Sequence, residues 1–131
     1  MTAKITIADY MVKNIMTVKQ DDDVLVAIKQ LLSHKTTCAP VLDNSGSLVG
    51  MLSEKDCMRV VLEFSYNQGM SGKVKDFMRK EIITVNAEAS IIDLAEKFKD
   101  SSVRSFPVFD DNKLVGVISR TDVLRALVEI K

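Results

Sequence analysis

The heptapeptide Gly116-Val117-Ile118-Ser119-Arg120-Thr121-Asp122 determines the architecture of this chain, because its pattern occurs once before as Gly50-Met51-Leu52-Ser53-Glu54-Lys55-Asp56. In both copies a hydrophobic pair precedes the glycine and a helix-like segment follows the aspartate. A strand that turns directly into a helix after a small hydroxyl residue presents free backbone N–H groups at the helix start, which suit an anion or a polyol. The sequence therefore predicts two related binding corners.

The two heptapeptides belong to an internal repeat that covers nearly the whole chain. When Asp9 is aligned with Asp76, and a small gap is allowed near Ser47, matching residues recur in one register to the end of the second copy. Such persistent matches are hard to obtain by chance and indicate a duplicated structural unit. The matched pairs include Met11 with Met78, Thr17 with Thr84, Pro40 with Pro107, Ser53 with Ser119, Asp56 with Asp122 and Arg59 with Arg125.

Hydrophobic periodicity and turn residues predict the same β-α-β-β-α unit in each copy. We expect the first repeat in residues 1–64, a polar, glycine-containing linker in 65–73 and the second repeat in 74–131. In the first copy the predicted elements are a strand at Ile15-Met16-Thr17-Val18, a helix capped by Asp23, strands at Pro40-Val41-Leu42 and Leu48 to Leu52, and a helix from near Glu54. In the second copy they are a strand at Ile82-Ile83-Thr84-Val85, a helix capped by Ser90, strands at Phe106-Pro107-Val108-Phe109 and Leu114 to Ile118, and a helix from near Arg120.

The predicted units would each form a small sheet covered by helices on one face. The other face would remain exposed and apolar, and packing the two units face to face would bury it. The expected fold class is therefore mixed α and β (α+β), with two β-α-β-β-α repeats related by an approximate two-fold axis and a cleft on either side.

The charge balance and the cysteine content exclude several classes of function. Lysine plus arginine and aspartate plus glutamate number 18 each, so no broad electrostatic field favours nucleic acid or an anionic membrane. The two cysteines, Cys38 and Cys57, form no CxxC pattern, which is typical of a reducing compartment. The first residues, Met1-Thr2-Ala3-Lys4-Ile5-Thr6, lack the apolar run of a signal peptide, and no segment is apolar enough for a membrane span. We therefore expect a cytoplasmic protein without membrane insertion.

The paired Gly-x-x-Ser-x-x-Asp motifs, the pairs Pro40-Val41 and Pro107-Val108, and the repeated topology resemble the CBS-domain pair, or Bateman module, over about residues 8 to 130. The resemblance implies a regulatory module that binds an adenosine ligand such as AMP, ADP, ATP or S-adenosylmethionine. It also implies disk-like homodimers, no catalytic residues, no required cofactor, and a regulated enzyme or transporter as partner.

Transferred to this sequence, the resemblance implies that Asp56 and Asp122 accept hydrogen bonds from ribose hydroxyls, and that Ser53 and Ser119 contact ribose or phosphate. Each site would combine the motif of one repeat with the first strand and the segment before proline of the other. Glu54 departs from a phosphate-binding pattern and could repel a nucleotide. The candidates for the adenine wall are Thr17, Thr37, Cys38 and Ala39 opposite the second motif, and Thr84, Ser105 and Phe106 opposite the first, with Arg104 and Arg120 as candidates for phosphate.

Less specific interpretations exist for the same residues. Serine followed three positions later by aspartate is also the pattern of a helix capping box, and one residue can serve as cap and as ligand contact. His34, the single histidine, gives little support to a metal site and fits a helix end at the surface. Cys38 fits a small buried filler, and Met11, Met58 and Met78 fall where the pattern predicts core.

A second function compatible with the sequence is a purely structural module that dimerises and binds no nucleotide. The apolar stripes Met58-Val61-Leu62 and Leu124-Leu127-Val128 on the last helix of each repeat are candidate contact surfaces, although burial within the chain would explain them equally. No nucleophile, base or metal-ligand pattern favours an enzyme, and the glycines match neither a dinucleotide fingerprint nor a P-loop.

Overall fold

A computed structural model describes residues 4–130. Two predictions lie partly outside this range: the outer domain limits at residues 1 and 131, and the first three residues of the stretch compared with a signal peptide. Within it, each repeat has the predicted β-α-β-β-α order, preceded by a short 3₁₀ turn at Ile7–Asp9 or Val74–Asp76. The first repeat contains β1 (Val18–Lys19), α1 (Val24–Ser33), β2 (Cys38–Leu42), β3 (Leu48–Ser53) and α2 (Glu54–Tyr66). The second contains β4 (Val85–Asn86), α3 (Ile91–Lys99), β5 (Ser105–Asp110), β6 (Lys113–Ser119) and α4 (Arg120–Glu129).

The strands form two three-stranded sheets, ordered β1-β2-β3 and β4-β5-β6. In each sheet the first strand runs parallel to the second, and the second pairs with the third as an antiparallel hairpin. The hairpins differ in their turns. In the first, the Asp43 carboxylate accepts hydrogen bonds from the amides of Ser45 and Ser47, each 2.9 Å long; in the second, Asp111 and Asn112 both have positive φ, as a tight two-residue turn requires. This difference explains the gap in the repeat near Ser47.

The first strand of each sheet begins later than predicted. Ile15, Met16 and Thr17 lie before β1, which starts at Val18 opposite Val41. The prediction rested on β-propensity, whereas a strand also needs a partner ladder. Pro40 precedes Val41 in the partner strand and has no N–H to donate, which fits a ladder that begins only at Val41. The second sheet shows the same shift, with β4 starting at Val85 rather than Ile82.

The described residues group into two compact units whose limits differ from those of the repeats. The central unit comprises Met16–Ile82, and the terminal unit comprises the chain up to Ile15 together with the chain from Ile83 onward. The segment that leads into each repeat therefore packs with the opposite repeat. We call Thr6–Val12 the terminal lead-in segment and Lys73–Arg79 the central lead-in segment. The predicted limits at 64, 65–73 and 74 describe the sequence repeats and stay a prediction as domain boundaries.

Short backbone bridges fix each lead-in segment to the last strand of its unit. In the terminal unit, Val12 and Val117 exchange two hydrogen bonds of 2.9 and 3.1 Å. In the central unit, Arg79 and Met51 exchange two of 2.8 and 3.0 Å. Each bridge lies beside the motif glycine: a Cβ on Gly116 would meet the Val12 carbonyl oxygen at 2.6 Å, and one on Gly50 would meet that of Arg79 at 2.9 Å. The motif glycines thus make room for the lead-in segments.

Each unit has its own hydrophobic core. The central core is built around Val41, Leu52 and Val60, and the terminal core around Phe106 and Ile118, all at most 1% exposed. Helices α1 and α3 begin at the predicted caps, where Asp23 accepts a hydrogen bond from Val26 N and Ser90 from Ile92 N. None of the helices in residues 4–130 combines the length and the apolar run that crossing a bilayer requires.

The core prediction for Met58 is wrong, because this side chain is 65% exposed. Helix α2 turns Cys57 and Val60 toward the core, so the stripe that contains Met58, Val61 and Leu62 points away from it. Met11 and Met78 pack against the cores at partly buried positions. His34 lies at the exposed end of α1, as predicted, with Nδ1 2.9 Å from the Gln30 carbonyl oxygen.

Candidate functional site: two strand-to-helix corners

The second motif forms a strand-to-helix corner held by a capping box. Ser119 ends β6 and is the N-cap of α4. Asp122 Oδ2 accepts hydrogen bonds from the backbone N and the Oγ of Ser119, each 2.9 Å long, while Asp122 N donates to Ser119 Oγ at 3.2 Å. Asp122 is only 6% exposed. The capping interpretation of this motif is therefore confirmed, and its carboxylate is kept largely out of bulk water.

The first motif forms an equivalent corner between β3 and α2. Asp56 Oδ2 accepts hydrogen bonds from Ser53 N at 3.1 Å and from Ser53 Oγ at 2.8 Å, and Asp56 N donates to Ser53 Oγ at 3.2 Å. The side chain of Asp56 is 18% exposed, twice the 9% of Asp122. The two corners thus share one hydrogen-bond geometry and differ in how exposed the aspartate is.

The second carboxylate oxygen of each corner faces an arginine one helical turn further on. Arg125 Nη2 lies 3.5 Å from Asp122 Oδ1, and Arg59 Nη2 lies 3.7 Å from Asp56 Oδ1. Residues three apart on a helix are neighbours on its surface, so the spacing places these pairs together. Our site prediction did not include either arginine. The signal was present in the repeat, where Arg59 aligns with Arg125.

The residues just before the proline of each repeat lie beside the motif of the same repeat. Cys38 pairs with Ser53 across β2 and β3, and Ser105 pairs with Ser119 across β5 and β6. Each corner is closed further by one backbone hydrogen bond, and in the first corner Glu54 N donates to the Thr37 carbonyl oxygen at 2.8 Å. The pairing that the resemblance implied, between the motif of one repeat and the strands of the other, stays a prediction.

The equivalent bond in the second corner runs from Arg120 N to the Arg104 carbonyl oxygen and is 3.0 Å long. Two of the first three amides of α4 are therefore already used, by Arg104 and by Ser119 Oγ. The expectation of free N–H groups at the helix start is therefore wrong for the amides of Arg120 and Asp122. A ligand would have to be recognised mainly by side chains and by the remaining backbone groups.

The remaining predicted site residues range from fully buried to exposed. Phe106 is 1% exposed, and the centroid of its ring lies 4.8 Å from that of Phe98 inside the core, so its side chain does not form a ligand-facing wall. Cys38 is partly buried rather than fully buried. The exposed predicted residues are Thr17, Thr37, Thr84, Arg104 and Arg120, and the other buried ones are Ala39 and Ser105.

One shallow cavity of about 250 Å³ lies beside Thr84 in the terminal unit. Its lining includes Asn86 and Ser90 and, on α3, Asp93 and Lys97. It does not include the motif residues Ser119 and Asp122. Thr84 borders this hollow, and its role as a wall residue of a ligand site stays a prediction.

Cys57 directly follows the motif residue Asp56 and has a perturbed thiol. Burial, with the charges of Asp56 and Glu54 adding to it, raises the pKa of the Cys57 thiol to about 11, which keeps it protonated and unreactive near neutral pH. Within residues 4–130, no group of three or more His, Cys, Asp or Glu side chains is arranged to hold a metal ion.

Comparison with known proteins agrees with this architecture. The CBS domain family model matches residues 7–63 and 74–129. The chain is 28% identical over 118 residues to inosine-5'-monophosphate dehydrogenase of Methanocaldococcus jannaschii, and the match covers 89% of this chain but only 22% of the dehydrogenase. The chain thus spans about a fifth of that relative's length.

Solved structures resemble the whole chain. The crystal structure of CBSX2 in complex with AMP has 30% sequence identity and a TM-score of 0.79, covering 95% of this chain and 97% of that one; CBSX2 is a CBS-pair protein from Arabidopsis thaliana. The CBS domain pair of protein MJ0100, in complex with 5'-methylthioadenosine and S-adenosyl-L-methionine, has a TM-score of 0.84 at 22% identity, with 98% and 100% coverage. At that identity the second likeness supports the fold alone. This chain belongs to the CBS-domain family and carries two CBS domains, in residues 7–63 and 74–129.

Proposed function

We propose that this chain is a regulatory module that binds an adenosine ligand at its strand-to-helix corners and transmits occupancy to a partner protein. The observation that carries the proposal is the pair of partly shielded carboxylates, Asp56 and Asp122, at equivalent corners. Each accepts two hydrogen bonds from one serine, through the serine amide and the serine hydroxyl. A carboxylate can accept hydrogen bonds from both hydroxyls of a ribose, and such charged hydrogen bonds contribute about 1.5 to 3 kcal/mol each.

AMP is the first ligand to test, because CBSX2, at 30% identity, was solved in complex with it. ADP, ATP and S-adenosylmethionine are the other members of the same class. No catalytic step and no cofactor belong to the proposal. Its mechanism is a shift of equilibrium: a ligand moves the partner between states by its differential affinity for them.

The two corners should differ in their affinity for a phosphate-bearing ligand. At the second corner, α4 begins with Arg120, whose amide donates a hydrogen bond to the carbonyl oxygen of the exposed Arg104. At the first corner, α2 begins with Glu54 at the equivalent position. An anionic ligand is attracted by the arginines and repelled by the glutamate, so we assign the tighter AMP site to the corner that contains Asp122.

The proposal also includes a homodimer formed through the last helix of each repeat. Apolar side chains on α2 and α4 are exposed at positions that a soluble helix normally gives to polar residues. The same feature favours the second candidate function, a structural dimerisation module without a nucleotide ligand. The exposed apolar residues on these helices are Met58, Val61, Leu62, Leu124 and Val128.

Calorimetric titration with AMP, with the other adenosine ligands and with GMP as a control distinguishes the two functions. We expect AMP to bind, Asp122→Asn to weaken binding about tenfold or more through loss of a charged hydrogen bond, and Asp56→Asn to weaken it less. Asp100→Asn, an exposed aspartate at the end of α3, is the matched control and should leave affinity unchanged.

Thermal unfolding gives an independent measurement. A ligand at a hundred times its dissociation constant stabilises the folded protein by about 2.7 kcal/mol, which raises the melting temperature measurably. Absence of any shift with all four adenosine ligands at millimolar concentration would leave the structural dimerisation module as the function.

A further inference from the structure

Arg125 connects the candidate ribose carboxylate to the terminal lead-in segment. Its Nη2 lies 3.5 Å from Asp122 Oδ1, and its guanidinium carbon lies 5.7 Å from the centroid of the Tyr10 ring. A guanidinium over an aromatic face at this distance is attracted by the ring. The same arginine thus contacts the binding corner on one side and the lead-in segment on the other.

Tyr10 is attached to α4 at a second point. Its hydroxyl donates a hydrogen bond of 2.7 Å to Glu129 Oε2, and this bond raises the pKa of the tyrosine hydroxyl. Arg125 and Glu129 are one helical turn apart, so they hold the ring from the same face of α4. Val12, two residues after Tyr10, is bridged to Val117 in β6. The terminal lead-in segment is therefore attached to β6 just before Ser119, through Val117, and to α4 just after it, through Arg125 and Glu129.

We infer that Arg125 is a positioning residue for Asp122, and that Tyr10 couples occupancy of the second corner to the order of the terminal lead-in segment. The inference rests on the proposed function. The positive charge beside Oδ1 fixes the orientation of the carboxylate, and the Tyr10 ring limits where the guanidinium can go. Because coupling between binding and structure is reciprocal, a ligand that orders Asp122 also orders Tyr10.

The first corner provides an internal comparison. Arg59 also lies near its aspartate, but its second contact is a hydrogen bond of 3.0 Å to the backbone carbonyl oxygen of Phe77 in the central lead-in segment. Any residue at position 77 supplies that carbonyl, whereas only an aromatic residue at position 10 supplies a ring. Substitution of a lead-in side chain should therefore uncouple the second corner and not the first.

Hydrogen exchange combined with AMP titration tests the coupling. In the wild-type protein, AMP should slow exchange of the amides of Ile7, Ala8 and Val12, which donate to Ala89, Ala87 and Val117 of the same unit. Arg125→Gln should weaken AMP binding about threefold, as expected for a partly exposed ion pair, and should remove the AMP-dependent slowing. Tyr10→Leu should also remove the slowing, because it deletes the ring.

Three matched variants separate positioning from general stability. Tyr10→Phe keeps the ring over Arg125 and should retain both the AMP affinity and the slowing. Arg125→Lys keeps a positive charge near Asp122 and can still be attracted by the Tyr10 ring, although it lacks the planar guanidinium, so it should bind AMP more tightly than Arg125→Gln and retain part of the slowing. Arg59→Gln should leave exchange at residues 6–12 unchanged.

The outcomes distinguish this inference from the proposed function. If the wild-type protein binds AMP while exchange at residues 6–12 is the same with and without it, or if Arg125→Gln binds AMP as the wild type does, the coupling is overturned and the proposed function stands. If no adenosine ligand binds the wild-type protein, both are overturned.

Discussion

The carboxylate of Asp122 accepts two hydrogen bonds from Ser119, one from its amide and one from its hydroxyl, and both are 2.9 Å long. One oxygen atom, Oδ2, accepts both. The two carboxylate oxygens therefore have different partners: Oδ2 belongs to the capping box of α4, whereas Oδ1 faces Arg125 and is the oxygen that we propose for a ribose hydroxyl. Stability and binding can be separated by substituting the two residues one at a time.

Ser119→Ala should destabilise the protein without removing the carboxylate. The substitution deletes the hydroxyl that accepts from Asp122 N and donates to Asp122 Oδ2. Loss of an N-cap hydroxyl typically lowers the free energy of unfolding by about 1 kcal/mol. Urea denaturation should show a lower midpoint with an unchanged slope. Thr121→Ala, at an exposed position in the same turn, is the control, and equal stability of the two variants would contradict the capping role.

Gly116→Ala should be more damaging than an alanine at an unconstrained turn glycine. A Cβ on Gly116 would lie 2.6 Å from the Val12 carbonyl oxygen and 2.9 Å from Met11 Sδ, so backbone must move. Such overpacking lowers the free energy of unfolding by about 2 kcal/mol, and amide exchange at Val12 should accelerate because its bridge to Val117 is strained.

Gly46→Ala is the comparison for that variant. Gly46 has φ +88°, and no atom lies within 4 Å of the position that a Cβ would take, so the cost of this substitution comes from backbone conformation alone, about 1 kcal/mol. Val12 exchange should be unchanged. Equal losses in the two variants, with no effect at Val12, would show that the close approach to the lead-in segment is unimportant.

The elements that the sequence predicts well are those specified by neighbouring residues. Asp23 and Ser90 begin α1 and α3, and the serines of both motifs begin α2 and α4, because a cap needs only residues within one turn. The hairpins are equally local, since their turn residues and the strands on either side adjoin in sequence. The fold class follows from these signals and from the repeat.

The parts that could not be predicted depend on residues distant in sequence. Nothing in the local pattern around Val12 points to Val117, so the sequence does not reveal that the repeats exchange their lead-in segments. The orientation of Met58 depends on which face of α2 meets the core, and a partly apolar helix allows more than one choice. The contact between Arg125 and Tyr10 likewise requires the lead-in segment to lie on α4.

Cys57 should give the protein a pH-dependent stability on the alkaline side. The pKa of this thiol is raised from 9.0 to about 11 in the folded protein, so between these values the folded chain retains a proton that the unfolded chain has lost. Its contribution to stability is complete below pH 9 and decreases as the pH rises toward 11. The difference in unfolding free energy between wild type and Cys57→Ala should therefore shrink over this range. Parallel stability curves for the two proteins would contradict the assignment.

Self-association through α2 and α4 should respond to a charge on either apolar stripe. Leu124 and Val128, 63% and 65% exposed, lie one turn apart on α4, as do Met58 and Leu62 on α2, so each pair forms a continuous apolar strip. Burying a lysine in such an interface is unfavourable. We expect sedimentation equilibrium to show a wild-type dimer, and Leu124→Lys or Met58→Lys to shift it toward monomer without lowering the melting temperature of the isolated chain.

Ile92→Lys is the matched control for that experiment, since Ile92 is an exposed apolar residue, at 50%, on the shorter helix α3. It should leave the wild-type association unchanged, because α3 presents no second exposed apolar residue one turn away within residues 91–99. A wild-type protein that remains monomeric at every concentration would refute the dimer, while dissociation by Ile92→Lys alone would move the contact surface to α3. Ligand binding at Asp122 is measured separately, because Asp122 is a largely buried residue, 6% exposed, whereas Leu124 is 63% exposed.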